Sequence, residues 1–308
     1  MGNWFKTAIL LGVMTALIVF IGNLLGGRQG MIIAFIIAMG MNFFSYWYSD
    51  RIVLRMYRAR EVSPDQSPEI YGLVADIAQR AGLPMPRIYI IPEDSPNAFA
   101  TGRNPEHAVV AVTQGLIKLM SREEIRGVIS HEMAHIKNRD ILIGSIAATM
   151  AGAVMILANM AQWTAFFGGR SDDEEGGGLG AIGMIIMAIV APVAAMLVQM
   201  AISRSREYHA DATGASFAGQ SQGLANALEK LGAYSKRIPM HSSPQTSHMF
   251  IINPLSAGGI MNLFSTHPPL EERIARLRGI YPGRTTPDQR PDSDRGLKDA
   301  ESFWNNLR

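Results

Sequence analysis

Four long runs without Asp, Glu, Lys or Arg constrain this chain more than any other feature of its sequence. They cover residues 7–27, 30–49, 141–169 and 176–203. A helix that crosses about 30 Å of hydrocarbon needs about 20 apolar residues, because each residue adds about 1.5 Å. Every run meets that length, so the sequence predicts an α-helical membrane protein with four hydrophobic segments. The third and fourth runs also contain Asn, Gln or Pro, so buried helices or shallow hairpins remain open as alternatives for them.

The charged residues beside these runs predict how the chain is oriented in a membrane. Basic residues follow the second run, precede the third and follow the fourth: Arg51, Arg55, Arg58, Arg60, Lys137, Arg139, Arg204 and Arg206. Between the third and fourth runs, residues 170–175 instead read R-S-D-D-E-E. Because positive charge concentrates on the cytoplasmic side, we expect both termini in the cytoplasm. The first run is then an uncleaved anchor rather than a secretion signal.

The remaining residues predict one soluble domain assembled from separate stretches. We expect transmembrane helices in 1–50, the halves of the domain in 51–140 and 203–282, further hydrophobic segments in 141–202, and a polar tail in 283–308. Hydrophobic periodicity predicts helices at 68–84 and 270–279, and strands at 87–93 and 107–113, with another at 97–102. The stretch 235–260 has poor periodicity and is expected to form a loop over or beside the functional site. The domain is therefore mainly α, of the α+β class.

Composition excludes several kinds of partner and chemistry. The formal net charge is only +2, and no basic patch with interleaved aromatic residues is present, so nucleic acid is not an expected partner. The chain has no cysteine, which excludes disulfides, thiolate metal ligands and a cysteine nucleophile.

An H-E-x-x-H pattern lies just before the third hydrophobic run. Ser121 and Glu124 form a capping-box pattern that predicts the start of a helix, and the motif residues His131, Glu132 and His135 follow on it. Side chains four positions apart share a helix face, so both imidazoles can bind one metal ion. Glu132 lies one step round the helix, where it can act as a general base toward water. No Pro or Gly interrupts residues 138–140, so this helix is expected to run unbroken into the third run.

A pair of acidic residues after the fourth run completes the predicted site. Glu207 and Asp211 are four residues apart on a predicted helix, within S-R-S-R-E-Y-H-A-D. Glu207 can supply a third ligand, giving a His2Glu zinc site with one open position. Asp211 can accept a hydrogen bond from the far nitrogen of a metal-bound histidine and fix its tautomer. A solvated acidic helix face is the simpler alternative.

These motifs, between paired hydrophobic segments, resemble the HtpX family of bacterial membrane-bound zinc metalloproteases. The resemblance covers essentially the whole chain, including P-N-A-F-A-T-G at 96–102 and S-T-H-P-P-L-E-E-R-I at 265–274. It implies a zincin-like cytoplasmic domain at the bacterial inner membrane, with one Zn²⁺ per chain bound by His131, His135 and Glu207. It also implies a stress-linked endopeptidase whose substrates are damaged membrane proteins and unfolded polypeptides, with the lipid bilayer as its other partner.

The resemblance extends to residues whose roles are less constrained by spacing. Asn97, Ala98, Phe99 and Ala100 resemble a strand beside the cleft, where extended substrate pairs with its backbone. An ordinary core strand is the alternative. Either His267 or Arg273 would stabilise the oxyanion formed when water attacks the amide, although a turn-forming His-Pro pair also explains His267. The other histidines lack partner spacing and are expected to be non-ligands: His107, His209, His241 and His248.

Two other functions remain compatible with these patterns. A prenyl-protein processing protease has closely similar motifs, but such enzymes usually enclose a chamber with more membrane spans. A membrane scaffold or holdase stabilised by zinc is the non-catalytic alternative. The intact Glu132 and the lack of a fourth protein ligand argue against the scaffold.

Overall fold

The N-terminal hydrophobic runs form a helical hairpin. The computed structural model of the chain describes residues 3–150, 204–235, 249–251 and 268–279. Helix α1, Asn3–Met56, is broken at Gly26 and Gly27, where Gly27 takes a positive φ of 53°. The break separates two helices, Phe5–Asn23 and Gly26–Met56, both long and apolar enough to cross a membrane. We call them the first and second membrane helices.

Small and polar side chains hold the two membrane helices together. Gly22 faces Gly30 and Ala34 so closely that a β-carbon at Gly22 would lie 2.6 Å from the Gly30 carbonyl oxygen. Asn42 Nδ2 donates to Thr15 Oγ1 across the pair at 2.8 Å. In lipid, where burial of apolar area gives little drive for association, close backbone approach and such hydrogen bonds stabilise helix pairs.

The second membrane helix continues beyond its uncharged run into the soluble domain. Its 31 residues correspond to about 46 Å, longer than the hydrocarbon core of a bilayer. Val53, Leu54 and Tyr57 at its end are buried against the sheet. The helix then stops at a turn in which Arg58 has a φ of 51°.

A four-stranded sheet forms the base of the soluble domain. Its strands are β1 (Arg60–Glu61), β2 (Arg87–Ile91), β3 (Ala98–Thr101) and β4 (Val109–Thr113), in the order β1-β2-β4-β3. Strands β2 and β4 are parallel, with Arg87 opposite Val109, and the other pairs are antiparallel. The three longer strands confirm those predicted from the sequence, and β3 lies at an edge.

Helices from both sides of the hydrophobic segments pack on this sheet. They are α2 (Pro68–Ala81), α3 (Gln114–Leu119), α4 (Arg122–Lys137), α6 (Arg204–Ala218), α7 (Gln222–Ser235) and α8 (Leu270–Leu277). One hydrophobic core unites residues of α2, β4 and α4 with residues of α7 and α8. The predicted helices at 68–84 and 270–279 are confirmed, and Ser121 and Glu124 form both bonds of the capping box.

The prediction that the motif helix runs unbroken into the third hydrophobic run is wrong. Helix α4 ends at Lys137, and Arg139 adopts a left-handed φ of 58°. The Asp140 N–H then bonds the His135 carbonyl at 2.9 Å, and the Arg139 N–H bonds the Ile136 carbonyl at 3.1 Å. This pair of bonds is the Schellman motif, which satisfies the last carbonyls of a helix. Glycine usually occupies the left-handed position, so the break carries no sequence signal here.

The third hydrophobic run begins as a separate helix, α5, over Ile141–Met150. Ile143, Ile146 and Met150 form a buried cluster with Leu10 and Met14 of the first membrane helix. The start of α5 is therefore packed against the membrane hairpin. The fourth run and the predicted polar tail at 283–308 lie outside the described residues.

Candidate metal centre

Three predicted ligands converge where α4 packs against α6. The Nε2 atoms of His131 and His135 lie 3.2 Å apart. Glu207 Oε2 lies 3.7 Å from His131 Nε2, and Glu207 Oε1 lies 3.5 Å from His135 Nε2. The three side chains offer ligand atoms that all lie within 4.8 Å of one another, so the group could hold a metal ion. Two imidazoles and one carboxylate are a donor set typical of zinc.

Asp211 and Arg273 lie immediately behind His131. Asp211 Oδ1 is 2.9 Å from His131 Nδ1, within ion-pair distance. Arg273, which is 1% exposed, donates to both Asp211 oxygens, from Nε at 2.9 Å and from Nη2 at 2.7 Å. Burial alone would raise the pKa of Asp211, but the Arg273 guanidinium and His131 hold that pKa below its usual range. Asp211 is therefore a buried carboxylate directed at the far side of His131.

Asp140 has the corresponding position behind His135. Its Oδ2 lies 3.1 Å from His135 Nδ1. Burial disfavours the imidazolium, but Asp140 and the charges of Glu207 and Glu132 outweigh burial and raise the pKa of His135 to about 9. No sequence signal marks Asp140 as a partner of His135, because positions 135 and 140 point apart on the continuous helix that was predicted. The turn after Lys137 brings them together.

Glu132 is buried between the histidines and the edge strand. It is 2% exposed, and the Ala100 N–H donates a hydrogen bond to its carboxylate. Burial raises the pKa of Glu132, while the charges of His131 and His135 act in the opposite direction. Because burial favours the protonated form of Glu132, its carboxylate is suited to accept a proton from water, as a general base must.

The predicted substrate strand borders this carboxylate. Ala98, Phe99 and Ala100 lie in β3, and Asn97 precedes it, with all four side chains buried. The Thr113 N–H bonds the Asn97 carbonyl at 3.0 Å, and polar groups alternate in direction along an antiparallel strand. The backbone groups of Ala98 and Ala100 therefore point away from β4. The Ala98 carbonyl accepts a hydrogen bond from the Ile251 N–H at 3.3 Å.

Of the two residues predicted to stabilise the oxyanion, the structure describes only Arg273. His267 lies outside the described residues. Arg273 is directed at Asp211, at the Ile251 carbonyl oxygen at 3.1 Å, and at Glu207 Oε2 at 3.5 Å. Its surroundings favour a role in holding these groups, and its role toward an oxyanion stays a prediction.

The other basic side chains near the motifs are separate from the ligand group. Arg206, which was predicted only as part of the basic flank of the fourth run, lies near Asp140 and Glu207. Burial lowers the pKa of Arg206, while those carboxylates oppose that change. His209 and His107 are exposed, and His107 Nδ1 lies 2.7 Å from Asn104 Oδ1. Neither belongs to the ligand group, while His241 and His248 lie outside the described residues.

Comparison with known proteins places this arrangement in a family. The model of peptidase family M48 matches residues 64–281. A protease HtpX homolog of Desulfatibacillum aliphaticivorans is 61% identical, and the match covers 100% of both chains. A protease HtpX homolog of Syntrophobacter fumaroxidans is 59% identical over 91% of this chain and 100% of its own.

A solved structure shares the fold at much lower identity. The crystal structure of Ste24p from S. mikatae matches with a TM-score of 0.51 and 16% identity, covering 89% of this chain and 65% of that chain. This chain thus spans under two thirds of that protein, and the likeness concerns the fold. The full-length relatives at 59–61% identity carry more weight. The chain belongs to peptidase family M48 and, within it, to the HtpX proteases, and it is a membrane-anchored metalloprotease.

Proposed function

We propose that this protein is a zinc endopeptidase that hydrolyses peptide bonds of damaged membrane proteins and unfolded polypeptides at the cytoplasmic membrane face. The observation that carries the proposal is the convergence of His131, His135 and Glu207 within 4.8 Å of one another, with the buried carboxylate of Glu132 beside them. One zinc ion per chain, held by these ligands, would supply Lewis-acid activation of water and of the scissile carbonyl.

Residues of the chain transfer the protons and orient the metal ligands. Glu132 takes a proton from the attacking water and delivers it to the leaving amine, because among the residues that the structure describes it is the buried carboxylate beside the ligands that is not assigned to metal binding or to a histidine. Asp211 and Asp140 each hold the far nitrogen of one histidine, which keeps Nε2 of both rings directed at the metal position. Arg273 holds Asp211 in a bidentate contact.

Substrate would bind as an added strand along β3. The outward backbone groups of Ala98 and Ala100 are two residues apart and border Glu132, so a paired peptide would lie with its backbone across the site. The Ala98 carbonyl is engaged by Ile251, so a substrate must replace that contact. Pairing through backbone atoms favours extended chains over folded ones and requires little of the side chains.

The membrane anchor would keep the site close to its substrates. We place the domain and both termini in the cytoplasm, with the third and fourth hydrophobic runs also in the inner membrane. The packing of α5 against Leu10 and Met14 supports the entry of the third run beside the hairpin. His135 is only six residues from the start of α5, which keeps the metal centre near the bilayer surface.

The alternatives have less support. Prenyl-protein processing is not proposed, because Ste24p is similar only in fold, at 16% identity. The non-catalytic scaffold makes no use of a buried Glu132 with a raised pKa.

The test is the Glu132→Gln variant of the full-length protein, purified in detergent and loaded with zinc. We expect it to bind one zinc and to lose casein cleavage by on the order of 10²–10⁴-fold, because the general base is removed while the ligands remain. Zinc content by mass spectrometry and cleavage on gels give both readings. The exposed Glu123→Gln on the same helix is the matched control. Full cleavage by zinc-loaded Glu132→Gln protein would rule out this role for Glu132.

A further inference from the structure

A band of aromatic and basic side chains surrounds the end of the second membrane helix. Phe43, Phe44, Trp47 and Tyr48 are exposed on this helix, by 56%, 58%, 45% and 38%. Arg51, Arg55, Arg58 and Arg60 follow them and are also exposed. We call these four arginines the basic collar. The helix surface thus changes from apolar to aromatic to basic within a few turns.

The collar has a fixed geometry relative to the helix. Arg51 and Arg55 are four residues apart and so share one helix face. The Arg51 guanidinium lies over the Tyr48 ring, 5.4 Å from its centroid, and Arg103 lies 4.8 Å from the Trp47 centroid. These cation–π contacts hold guanidinium groups at the level of the aromatic band, which is where interfacial Trp and Tyr place the lipid headgroups.

The carboxylates of Asp50 and Glu61, near the collar, interact with side chains outside it. Asp50 pairs with Arg87 at 3.0 Å, and Glu61 accepts a hydrogen bond from the Tyr89 hydroxyl at 2.8 Å. Among the residues that the structure describes, Arg55, Arg58 and Arg60 form no ion pair with an acidic side chain. The collar therefore presents several positive charges, without internal neutralisation, at the end of a membrane-spanning segment.

We propose that the basic collar binds the phosphates of anionic phospholipids at the cytoplasmic leaflet. Guanidinium groups bind phosphate oxygens through paired charge-assisted hydrogen bonds. The collar is continuous with the lipid-facing surface of the helix, which makes a membrane phosphate, rather than a free one, the matching occupant. The lipid class is defined by its negative headgroup and by nothing in its acyl chains.

This site would also influence the protease, a step that rests on the proposed function. Tyr57 immediately precedes Arg58 of the collar, and its ring lies 6.0 Å from that of Phe99 in β3. Phe99 is followed by Ala100, whose N–H bonds Glu132. A short path of packed side chains therefore joins the headgroup level to the edge strand. Anionic lipid would hold the helix end at one height and keep β3 in place beside the metal centre.

The test uses the full-length, zinc-loaded protein in nanodiscs of phosphatidylcholine, with or without phosphatidylglycerol. Native mass spectrometry of protein released from mixed discs counts the retained lipids of each class. We expect the wild type to retain phosphatidylglycerol preferentially. In the R51Q/R55Q variant, the ratio of retained phosphatidylglycerol to phosphatidylcholine should be about tenfold lower. R51K/R55K, which keeps the charge, should retain most of it. K118Q/R122Q removes two exposed positive charges elsewhere and should behave as the wild type.

Casein cleavage in the same discs provides the second reading. Phosphatidylglycerol should raise kcat/KM severalfold for the wild type and for K118Q/R122Q, but not for R51Q/R55Q. Equal retention of both lipids by the wild type would overturn the proposal, as would an equal loss in K118Q/R122Q. Inorganic phosphate or a soluble acidic peptide that replaces phosphatidylglycerol in this assay would also overturn it. Preferential lipid retention without cleavage in any disc would instead contradict the proposed protease function and leave the lipid site standing.

Discussion

Gly214 of α6 lies directly against the backbone of His131 in α4: a β-carbon at this glycine would be 2.9 Å from both the His131 Cα and the His131 nitrogen. Contacts this short do not occur for real side chains, so only glycine permits the approach of these two helices. Glu207 and Asp211 lie on the same helix as Gly214. The distance between this glycine and the metal-binding helix therefore sets the distance between the ligands.

We expect Gly214→Ala to weaken zinc binding about 10–100-fold, because α6 must move away from α4 and carry Glu207 and Asp211 with it. Zinc affinity, measured by competition with a chromogenic chelator, tests this. The control is Gly72→Ala in α2, where a β-carbon would meet nothing within 4 Å, and it should leave zinc affinity unchanged. Wild-type affinity in Gly214→Ala would show that the helices adjust without moving the ligands.

Replacement of Arg273 should destabilise the protein strongly. Arg273→Met leaves Asp211 buried without its bidentate partner, at a cost of about 3–5 kcal/mol. Arg276→Gln on the same helix is the matched control, since the Arg276–Glu272 pair is exposed and screened by solvent, and its loss should change the melting temperature little. Thermal unfolding of the zinc-free proteins in detergent measures the difference. Similar melting temperatures for the two variants would argue against a structural role for Arg273.

Zinc binding should release protons. Because the pKa of His135 is raised to about 9 without metal, this histidine is protonated at neutral pH, and zinc must displace the proton. Apparent affinity therefore rises as pH increases toward about 9 and falls as pH decreases. Calorimetric titration in buffers with different ionisation enthalpies counts the protons released.

Asp140→Asn tests the source of this proton release. The substitution removes a contact that raises the pKa of His135. Fewer protons should therefore be released at pH values between the His135 pKa of the variant and that of the wild type. Zinc affinity should also fall about tenfold or more, because the His135 ring loses its partner. Asp65→Asn, at an exposed position, should change neither quantity. Unchanged proton release in Asp140→Asn would assign the raised pKa to Glu207 and Glu132 alone.

The membrane hairpin offers a test through introduced cysteines, since the chain has none of its own. Thr15 and Asn42 are hydrogen-bonded across the two helices, so Thr15→Cys combined with Asn42→Cys should cross-link efficiently. Adding Gly22→Ile should abolish the cross-link, because a side chain there meets Ala34 and the Gly30 backbone. Gly12→Ile, where a β-carbon meets nothing within 4 Å, should leave it intact. Cross-linking despite Gly22→Ile would mean that the helices pair through another face.

The sequence was sufficient where a structure depends on short-range spacing. Histidines four residues apart on a helix must share a face, and the Ser121 and Glu124 pattern marked the start of that helix. The match between Glu207 and that helix also followed, because metal chemistry requires a third ligand. The helix predictions rest on local geometry that tertiary contacts do not change, whereas the position of Glu207 depends on the packing of α6 against α4.

The rest depends on contacts between distant segments. The turn at Arg139 contains no Gly or Pro and is compensated by the Asp140 contact with His135, so local propensity gave the wrong helix end. The pairing of Ile251 with Ala98 joins residues far apart in the chain, and no periodic pattern encodes it. Glycine is ordinarily unfavourable inside a helix, and the reason for Gly214 is visible only in the contact of α6 with α4.

The outer edge of β3 is hydrogen-bonded within the protein, and this affects whether molecules without bound substrate aggregate. An unprotected edge strand is a template on which other chains can add and aggregate, and most proteins shield such edges. Here the Ala98 carbonyl is occupied by Ile251 and the Ala100 N–H by Glu132, so the protein's own groups fill the positions that an incoming strand would use. The hydrogen bonds that a substrate paired along β3, as we propose, would have to replace would therefore also keep neighbouring copies from joining edge to edge.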